Sequence, residues 1–256
     1  LQLGRDLALR YMRWFHNRTR STMVPASDLK EQLEADGFGR LTVLARGVDG
    51  RLFSPAKRSE ELRAAWGVRP EDPVVVHVGR IAAEKNLALA VEAFLAMQQA
   101  EPRAKFVLVG DGPEREPLAK RYPQFHYAGM RRGEELAAHY ASADAFVFPS
   151  VTETFGNVVT EALASGLVVV AYDYAAAREH VRTGVNGFSA AFDDRGAFLA
   201  LSRDVMARRA EWPAVRKAAR ATAEEITWES IFDKFESELL AAAAQKDVSG
   251  AGQAVV

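Results

Sequence analysis

Three short segments carry residues whose types and spacing suit the binding of a charged ligand. The first is Val78-Gly79-Arg80-Ile81-Ala82-Ala83-Glu84-Lys85-Asn86. Arg80 and Lys85 leave the end of an apolar run together, and Asn86 is a natural helix N-cap. Two cations beside a helix N-terminus make an anion site suited to a diphosphate. It is not a Walker loop, because no Gly precedes Lys85 and no Ser or Thr follows it. A basic loop on a solvated surface accounts for the same residues equally well. The second segment is Gly110-Asp111-Gly112-Pro113. Arg115 stands where a G-x-G-x-x-G fingerprint needs its third Gly, so the plainer reading is a tight strand-to-helix turn with Pro113 as first helical residue. Gly112 could still let the backbone approach a ligand. The third is Glu153-Thr154-Phe155-Gly156-Asn157-Val158-Val159-Thr160-Glu161. Gly156, Asn157 and Val158 would open a helix with free N–H groups, Glu153 would lie in the preceding loop, and Glu161 would lie more than a turn in. A carboxylate at Glu161 suits a ribose diol, although a lone Glu there would more often be a surface residue. The Glu-x7-Glu string around Phe-Gly is more specific than any one of its residues.

These segments need a scaffold, and the hydrophobic pattern supplies one. Apolar runs of strand length occur at 74–79, 105–110, 125–129, 145–149 and 167–172. Helical patterns lie between them at 86–99, 113–121, 133–142 and 156–165, and the remainder reads as helical at 194–209, 212–225 and 228–243. Continuous apolar strands alternating with helices mean an α/β fold with a parallel sheet covered on both faces. Such sheets bind ligands at the carboxyl ends of their strands, where all three segments fall. Ahead of this pattern come a helix at 1–18, a short strand at 21–24, a helix from Ser27 and Asp28 to about Asp36 ended by Gly37, and a strand at 41–44. Arg46-Gly47-Val48-Asp49, followed by Pro55, looks like a hinge. The helix at 1–18 is amphipathic. Leu3, Leu7, Tyr11, Trp14 and Phe15 share a broad face, and Arg5, Arg10, Arg13 and Arg18 populate the rest.

Composition narrows the function classes. The 256 residues are 48% hydrophobic and 26% charged, an ordinary globular balance. No run of about 18 apolar residues occurs, which argues against a membrane-spanning helix. The absence of Cys removes disulfides, thiolate metal sites and a Cys nucleophile. A net charge of −1 argues against wrapping nucleic acid by bulk charge. The chain opens on Leu1 directly into a helical pattern, which reads as a fragment lacking its N-terminal portion; the tail after Lys246 reads as disordered.

In order and spacing, Gly79-Arg80…Glu84-Lys85-Asn86, Gly110-Asp111-Gly112-Pro113 and Glu153-Thr154-Phe155-Gly156…Glu161 resemble the family-4 retaining glycosyltransferases of the GT-B fold, and Arg46-Gly47-Val48-Asp49…Phe53…Pro55 resembles that family's interdomain hinge. The resemblance runs from about residue 10 to 240. It implies residues 1–50 as the remnant of an acceptor domain with its hinge, 51–226 as a Rossmann-like donor domain, 227–245 as a C-terminal return helix and 246–256 as a tail. It implies that Arg80 and Lys85 bind the donor diphosphate and stabilise the leaving group, with Glu153 as their catalytic partner at the transferred sugar. Gly79, Gly112, Phe155, Gly156, Asn157, Val158 and Glu161 would complete the donor site, Glu161 on the ribose, while Met130 and Arg131 after Gly129 would border the nucleobase. No metal or other cofactor is implied; the donor is itself the substrate.

Residues 171–180 look most like GDP-mannose-dependent mannosyltransferases of bacteria, and also like UDP-sugar-using sulfolipid transferases. The expected reaction is hexosyl transfer, with GDP-mannose favoured as donor, to a lipid or glycan acceptor with retention of configuration. The expected place is the cytoplasm, with residues 1–18 either packed in the missing acceptor portion or touching the inner face of a membrane. The missing portion would carry a Gly-rich loop and a His near the reacting sugar, so this chain should bind donor and transfer it weakly or not at all. Two other classes stay open: a nucleotide-sugar epimerase of similar fold, which would lack the Glu-x7-Glu string, and a silent nucleotide-sugar-binding module. His77 reads as a core residue and His126 as core or surface. His16, His139 and His180 read as packing or surface residues, and Trp14, Trp66, Trp212 and Trp228 as packing anchors rather than sugar platforms.

Overall fold

Runs of consecutive Val, Phe, Leu and Ala become strands buried on both faces, and the computed structural model, which describes residues 2–244, assembles them into one sheet. The tail after Lys246 and the side chains of Leu3 and Arg5 lie outside the described residues. In chain order the elements are α1 (Gln2–His16), β1 (Thr22–Val24), α2 (Ser27–Ala35), β2 (Leu41–Val43), α3 (Glu60–Ala65), β3 (Val74–Val78), α4 (Leu87–Ala100), β4 (Lys105–Val109), α5 (Arg115–Arg121), β5 (His126–Gly129), α6 (Gly133–Ser142), β6 (Ala145–Phe148), α7 (Asn157–Ala164), β7 (Val168–Tyr172), α8 (Ala175–His180), β8 (Phe188–Ala190), α9 (Arg195–Ala207), α10 (Trp212–Glu225) and α11 (Trp228–Ala244).

The chain divides into two compact units. Residues 47–228 form one; the residues before 47 and after 228 form the other. The larger unit holds a six-stranded parallel sheet in the order β5-β4-β3-β6-β7-β8. The chain lays β3, β4 and β5 outward in one direction, then returns to the centre and lays β6, β7 and β8 in the other. The β3/β6 junction is therefore the topological switch point, where an open α/β sheet leaves a crevice beyond its strand ends. The core is dense with aromatic rings: Phe94 of α4 stacks on Phe106 of β4 at 4.7 Å, and Phe125 meets both edge-on.

The smaller unit pairs β1 with β2 in parallel, Thr22 opposite Leu41 and Val24 opposite Val43, around a small core of Val24, Phe38 and Leu41. The side chain of Asn17, just beyond α1, donates to the Gly37 carbonyl and accepts from the Gly39 amide, and Arg13 of α1 donates to the Asp36 carbonyl. The last helix belongs to this unit: Arg20 donates to the Ala242 carbonyl at 2.8 Å, and Thr42 donates to Glu238. The segment at residue 47 requires a glycine. A Cβ on Gly47 would stand 2.5 Å from the Trp228 amide nitrogen, so the first and last residues of the larger unit lie backbone to backbone. The neighbouring Val48 amide donates to the Ile226 carbonyl.

Several local expectations are corrected. The remainder after β7 is not wholly helical: besides α8 it contains the sixth strand β8, three residues long and too short to stand out as an apolar run. Helix α2 starts after Ala26 without a side-chain cap, and the Asp28 carboxylate accepts from the Leu29 amide instead. Helix α5 begins at Arg115, so Pro113 lies in the turn before it rather than at its first position.

Candidate active site at the sheet switch point

Glycines set the spacing of the loops that follow β3 and β4. Gly110 and Gly112 adopt φ of +142° and +157°, and a Cβ on either would fall inside contact distance of a backbone carbonyl, that of Gly79 and that of Ile81 respectively. The loops are joined by backbone hydrogen bonds: the Gly79 amide to Val109, the Ile81 amide to Asp111, and the Glu114 amide to Ile81. The Gly110 amide continues the series to Gly129 at the end of β5. Gly112 therefore serves the close approach of two loops, and its N–H donates to the Asp111 carboxylate at 2.8 Å.

Arg80 and Lys85 leave β3 in different surroundings. The Arg80 side chain is 65% exposed and pairs with Glu84 at 2.9 Å. The Lys85 side chain is 20% exposed and forms an ion pair with Glu153, itself 13% exposed; Lys85 also donates to the Thr152 carbonyl at 3.2 Å. Asn86 does not cap α4 with its side chain. It takes a left-handed conformation at φ +54°, and its side-chain Nδ2 donates to the Pro149 carbonyl at 3.2 Å, tying the loop after β3 to the loop after β6. Thr152 donates back to the Glu84 carbonyl at 2.8 Å. The first and third sequence segments thus meet across the switch point.

Glu153 is held from three sides. Ser150, which is buried, donates to its Oε1 at 2.7 Å, Lys85 reaches the same oxygen, and the Tyr174 hydroxyl donates to its backbone carbonyl at 3.1 Å. Gly156, at φ +91°, turns the chain into α7 and leaves the amides of the first turn without intrahelical acceptors. Phe155 is buried, edge-on to His180, and its carbonyl accepts from the Ala176 amide. The Asn157 side-chain oxygen at this turn has no partner within the structure. Val158 follows in the same turn, half-buried. Glu161 accepts from the hydroxyl of Tyr140 at 2.9 Å; burial raises its pKa, and this hydrogen bond opposes the rise. Met130 is exposed beyond β5, while Arg131 is anchored to the Ala128 carbonyl at 3.0 Å and to Glu135 at 3.2 Å.

His77 lies directly beneath this site, fully buried in β3. Its Nδ1 faces the Val147 carbonyl at 3.0 Å, so Nδ1 carries the proton and Nε2 is left as an unpartnered acceptor. Burial pushes its pKa down to about 4, and the charge of Lys85 adds to the effect, so the imidazole is neutral near pH 7. Of the other histidines, His126 and His139 pack on Trp66 and His16 packs on Phe38. Trp66 and Trp212 are buried, whereas Trp14 and Trp228 are substantially exposed. Among the described residues no group of three or more His, Asp or Glu has the arrangement to hold a metal ion.

Two of these features had no signal in the sequence. The Lys85–Glu153 pair joins residues 68 apart, and nothing in either segment announces that their charges meet. Tyr140 sits in a helix whose pattern reads as core, so its hydroxyl had no reason to be singled out.

Comparisons with known proteins bear on the family and the fold. The family description "Glycosyl transferases group 1" matches residues 72–207. The sulfoquinovosyl transferase SQD2 of Arabidopsis thaliana is 34% identical over 241 residues, covering 91% of this chain and 46% of that protein. A GDP-mannose-dependent alpha-mannosyltransferase of Mycolicibacterium smegmatis is 37% identical over 222 residues, covering 80% of this chain and 57% of that protein. Among solved structures, Anabaena HepE in complex with UDP and glucose superposes with a TM-score of 0.75 at 23% identity, covering 91% of this chain and 66% of that one. The chain spans about half the length of the curated relatives it matches. With a parallel sheet between helices and a matching family over more than half its residues, the chain belongs to the group 1 glycosyltransferases, family 4, of GT-B fold.

Proposed function

We propose that this chain carries the donor-binding half of a retaining hexosyltransferase. It takes a nucleoside-diphosphate sugar, with GDP-mannose favoured, and serves transfer to a lipid or glycan acceptor. The observation that carries the reading is the convergence of Lys85, Glu153 and the N-terminus of α7 at the β3/β6 switch point. In this reading Arg80 and Lys85 hold the diphosphate and the negative charge that develops on it as the glycosidic bond breaks. Preorganised cations do this at less cost than water, which must reorient. Glu153, fixed by Ser150, faces the transferred sugar. Glu161 binds the ribose hydroxyls, and Met130 with Arg131 borders the base. Residues 51–226 form the donor domain, and the segments before and after it belong to the acceptor side. The assignment of the donor to GDP-mannose is supported by the actinobacterial mannosyltransferase relative. The plant sulfoquinovosyl transferase, similar over 91% of the chain, supports a second reading: a UDP-sugar-dependent glycolipid transferase.

Calorimetric titration with GDP and UDP in the presence of EDTA tests both. One of the two binds with a Kd below millimolar and without added metal. Arg80→Ala weakens that binding by about tenfold, the low end for a hydrogen bond to a charged group, because the Arg80 side chain is largely exposed and screened. No binding of either nucleotide, or an Arg80→Ala chain that binds as well as the unaltered one, removes the diphosphate assignment.

The acceptor reading places the chain in the cytoplasm, with residues 1–18 in peripheral contact with the inner face of a membrane. No described helix is long and apolar enough to cross a bilayer. Helix α1 exposes Leu7, Tyr11, Met12, Trp14 and Phe15, and Arg18 lies over the Trp14 ring at 4.2 Å. An exposed stripe of this kind promotes self-association, and its arginines attract anionic headgroups. Deleting residues 1–18 shifts light scattering toward monomer and leaves nucleotide affinity unchanged. Vesicles of phosphatidylglycerol and phosphatidylcholine retain the intact chain at low salt and lose it with the deletion. Equal retention of both chains sinks the membrane assignment, and loss of nucleotide binding on deletion sinks the domain boundary.

A further inference from the structure

Glu161 and Tyr140 form a pair that packing alone does not require. Tyr140 lies in the last turns of α6 and is completely buried, with its ring edge-on to Phe53 at 5.7 Å and tilted against Phe146 at 6.0 Å. Phenylalanine would fill that space equally well. The hydroxyl is what distinguishes the residue, and it points out of the aromatic cluster to Glu161 Oε2 on α7 at 2.9 Å, with the Val158 carbonyl farther off at 3.4 Å. A carboxylate offers about four lone-pair directions, so one phenol donor on Oε2 fixes the plane of the group and leaves Oε1 and the outer lone pair of Oε2 unspent. Two vicinal hydroxyls need that set of acceptors. Glu161 has several rotatable bonds, and a side chain that must grip a diol loses affinity for each rotamer it samples outside the gripping one.

We propose that Tyr140 is a positioning residue that aims the Glu161 carboxylate at the ribose diol of the donor nucleotide. The inference rests on the assignment of Glu161 to the ribose under Proposed function. Burial alone would favour the protonated carboxyl, which has fewer acceptor sites, and the phenol hydrogen bond favours the ionised form that accepts from both hydroxyls. Tyr140 thus acts on the ligand through Glu161.

The test is the preference for ribose over 2′-deoxyribose, measured by titrating GDP, UDP and their 2′-deoxy forms into the full chain. The unaltered chain prefers the ribonucleotide by about tenfold or more, the scale of one hydrogen bond to a charged acceptor. Tyr140→Phe keeps the fold, as its melting curve shows, and cuts the preference to about threefold or less while the 2′-deoxy nucleotide binds as before. In a Glu161→Ala background the same substitution has no further effect on the preference, since the two residues act as one unit. Tyr140→Met, which fills the space without a hydroxyl, repeats the measurement if the Phe variant melts early. A Tyr140→Phe chain that keeps the full preference, or an effect that adds to that of Glu161→Ala, overturns the inference and leaves the ribose assignment standing. An unaltered chain that binds nucleotide with no preference for ribose overturns the assignment of Glu161, and the inference with it.

Discussion

Replacing Lys85 with Ala lowers nucleoside-diphosphate affinity by about 10- to 150-fold, equivalent to ~1.5–3 kcal/mol for lost hydrogen bonds to a charged group. The effect exceeds that of Arg80→Ala because the Lys85 side chain is mostly withdrawn from solvent, where its charge is poorly screened. The substitution also strands Glu153, leaving a half-buried carboxylate to repel the incoming phosphates. The partner substitution separates these effects. Lys85 is engaged by Glu153, so a diphosphate must compete for it. Glu153→Gln removes the charged competitor and keeps the shape, and it raises nucleoside-diphosphate affinity about fivefold, roughly 1 kcal/mol. The two substitutions therefore move affinity in opposite directions, which a merely structural ion pair would not do. Calorimetry on both variants decides: if both weaken binding, or neither changes it, Lys85 does not exchange Glu153 for phosphate.

The sheet was legible because its central strands are unbroken apolar runs. Val74–Val78 and Val168–Tyr172 are Val and Ala throughout except for His77 and Tyr172, and burial on both faces in a parallel sheet follows from such runs. Strand β8 escaped notice for the opposite reason: Phe188, Ser189 and Ala190 are too few and too mixed to show a period, and the strand exists because β7 offers it an edge. The loop glycines at 110 and 112 were visible, but the contact they permit was not: one loop approaches another there, a relation between chain segments that spacing cannot encode. Asn86 has the composition of an N-cap and instead bridges to Pro149, because the left-handed turn there carries its side chain away from the α4 amides. For the site, the residue types were readable and the pairings were not. Lys85 and Glu153 come together only because β3 and β6 are neighbours, and that adjacency belongs to the order of strands in the sheet.

The closeness of the strand-end loops predicts the most damaging single methyl group in the larger unit. Gly110→Ala places a Cβ against the Gly79 carbonyl oxygen, a backbone atom that cannot rotate aside, at a φ of +142° where an L-residue is already strained. Strain and overpacking of this kind each cost about 1–3 kcal/mol, so the variant is destabilised by ~3 kcal/mol or more, and its melting temperature falls by about 10 °C. Relief requires the two loops to part, which breaks the hydrogen bonds from the Gly79 amide to Val109 and from the Gly110 amide to Gly129. Parting also moves Arg80, one residue beyond Gly79, so nucleotide affinity falls together with stability. Gly67 supplies the control. It too has a left-handed φ, +68°, but a Cβ there meets nothing within 4 Å, so Gly67→Ala carries only the conformational cost of about 1 kcal/mol and leaves nucleotide binding alone. Thermal melts of the two variants side by side isolate the steric part. If Gly110→Ala melts with Gly67→Ala and binds nucleotide as the unaltered chain does, the loops have slack, and the position of Arg80 is not set by the contact between Gly79 and Gly110.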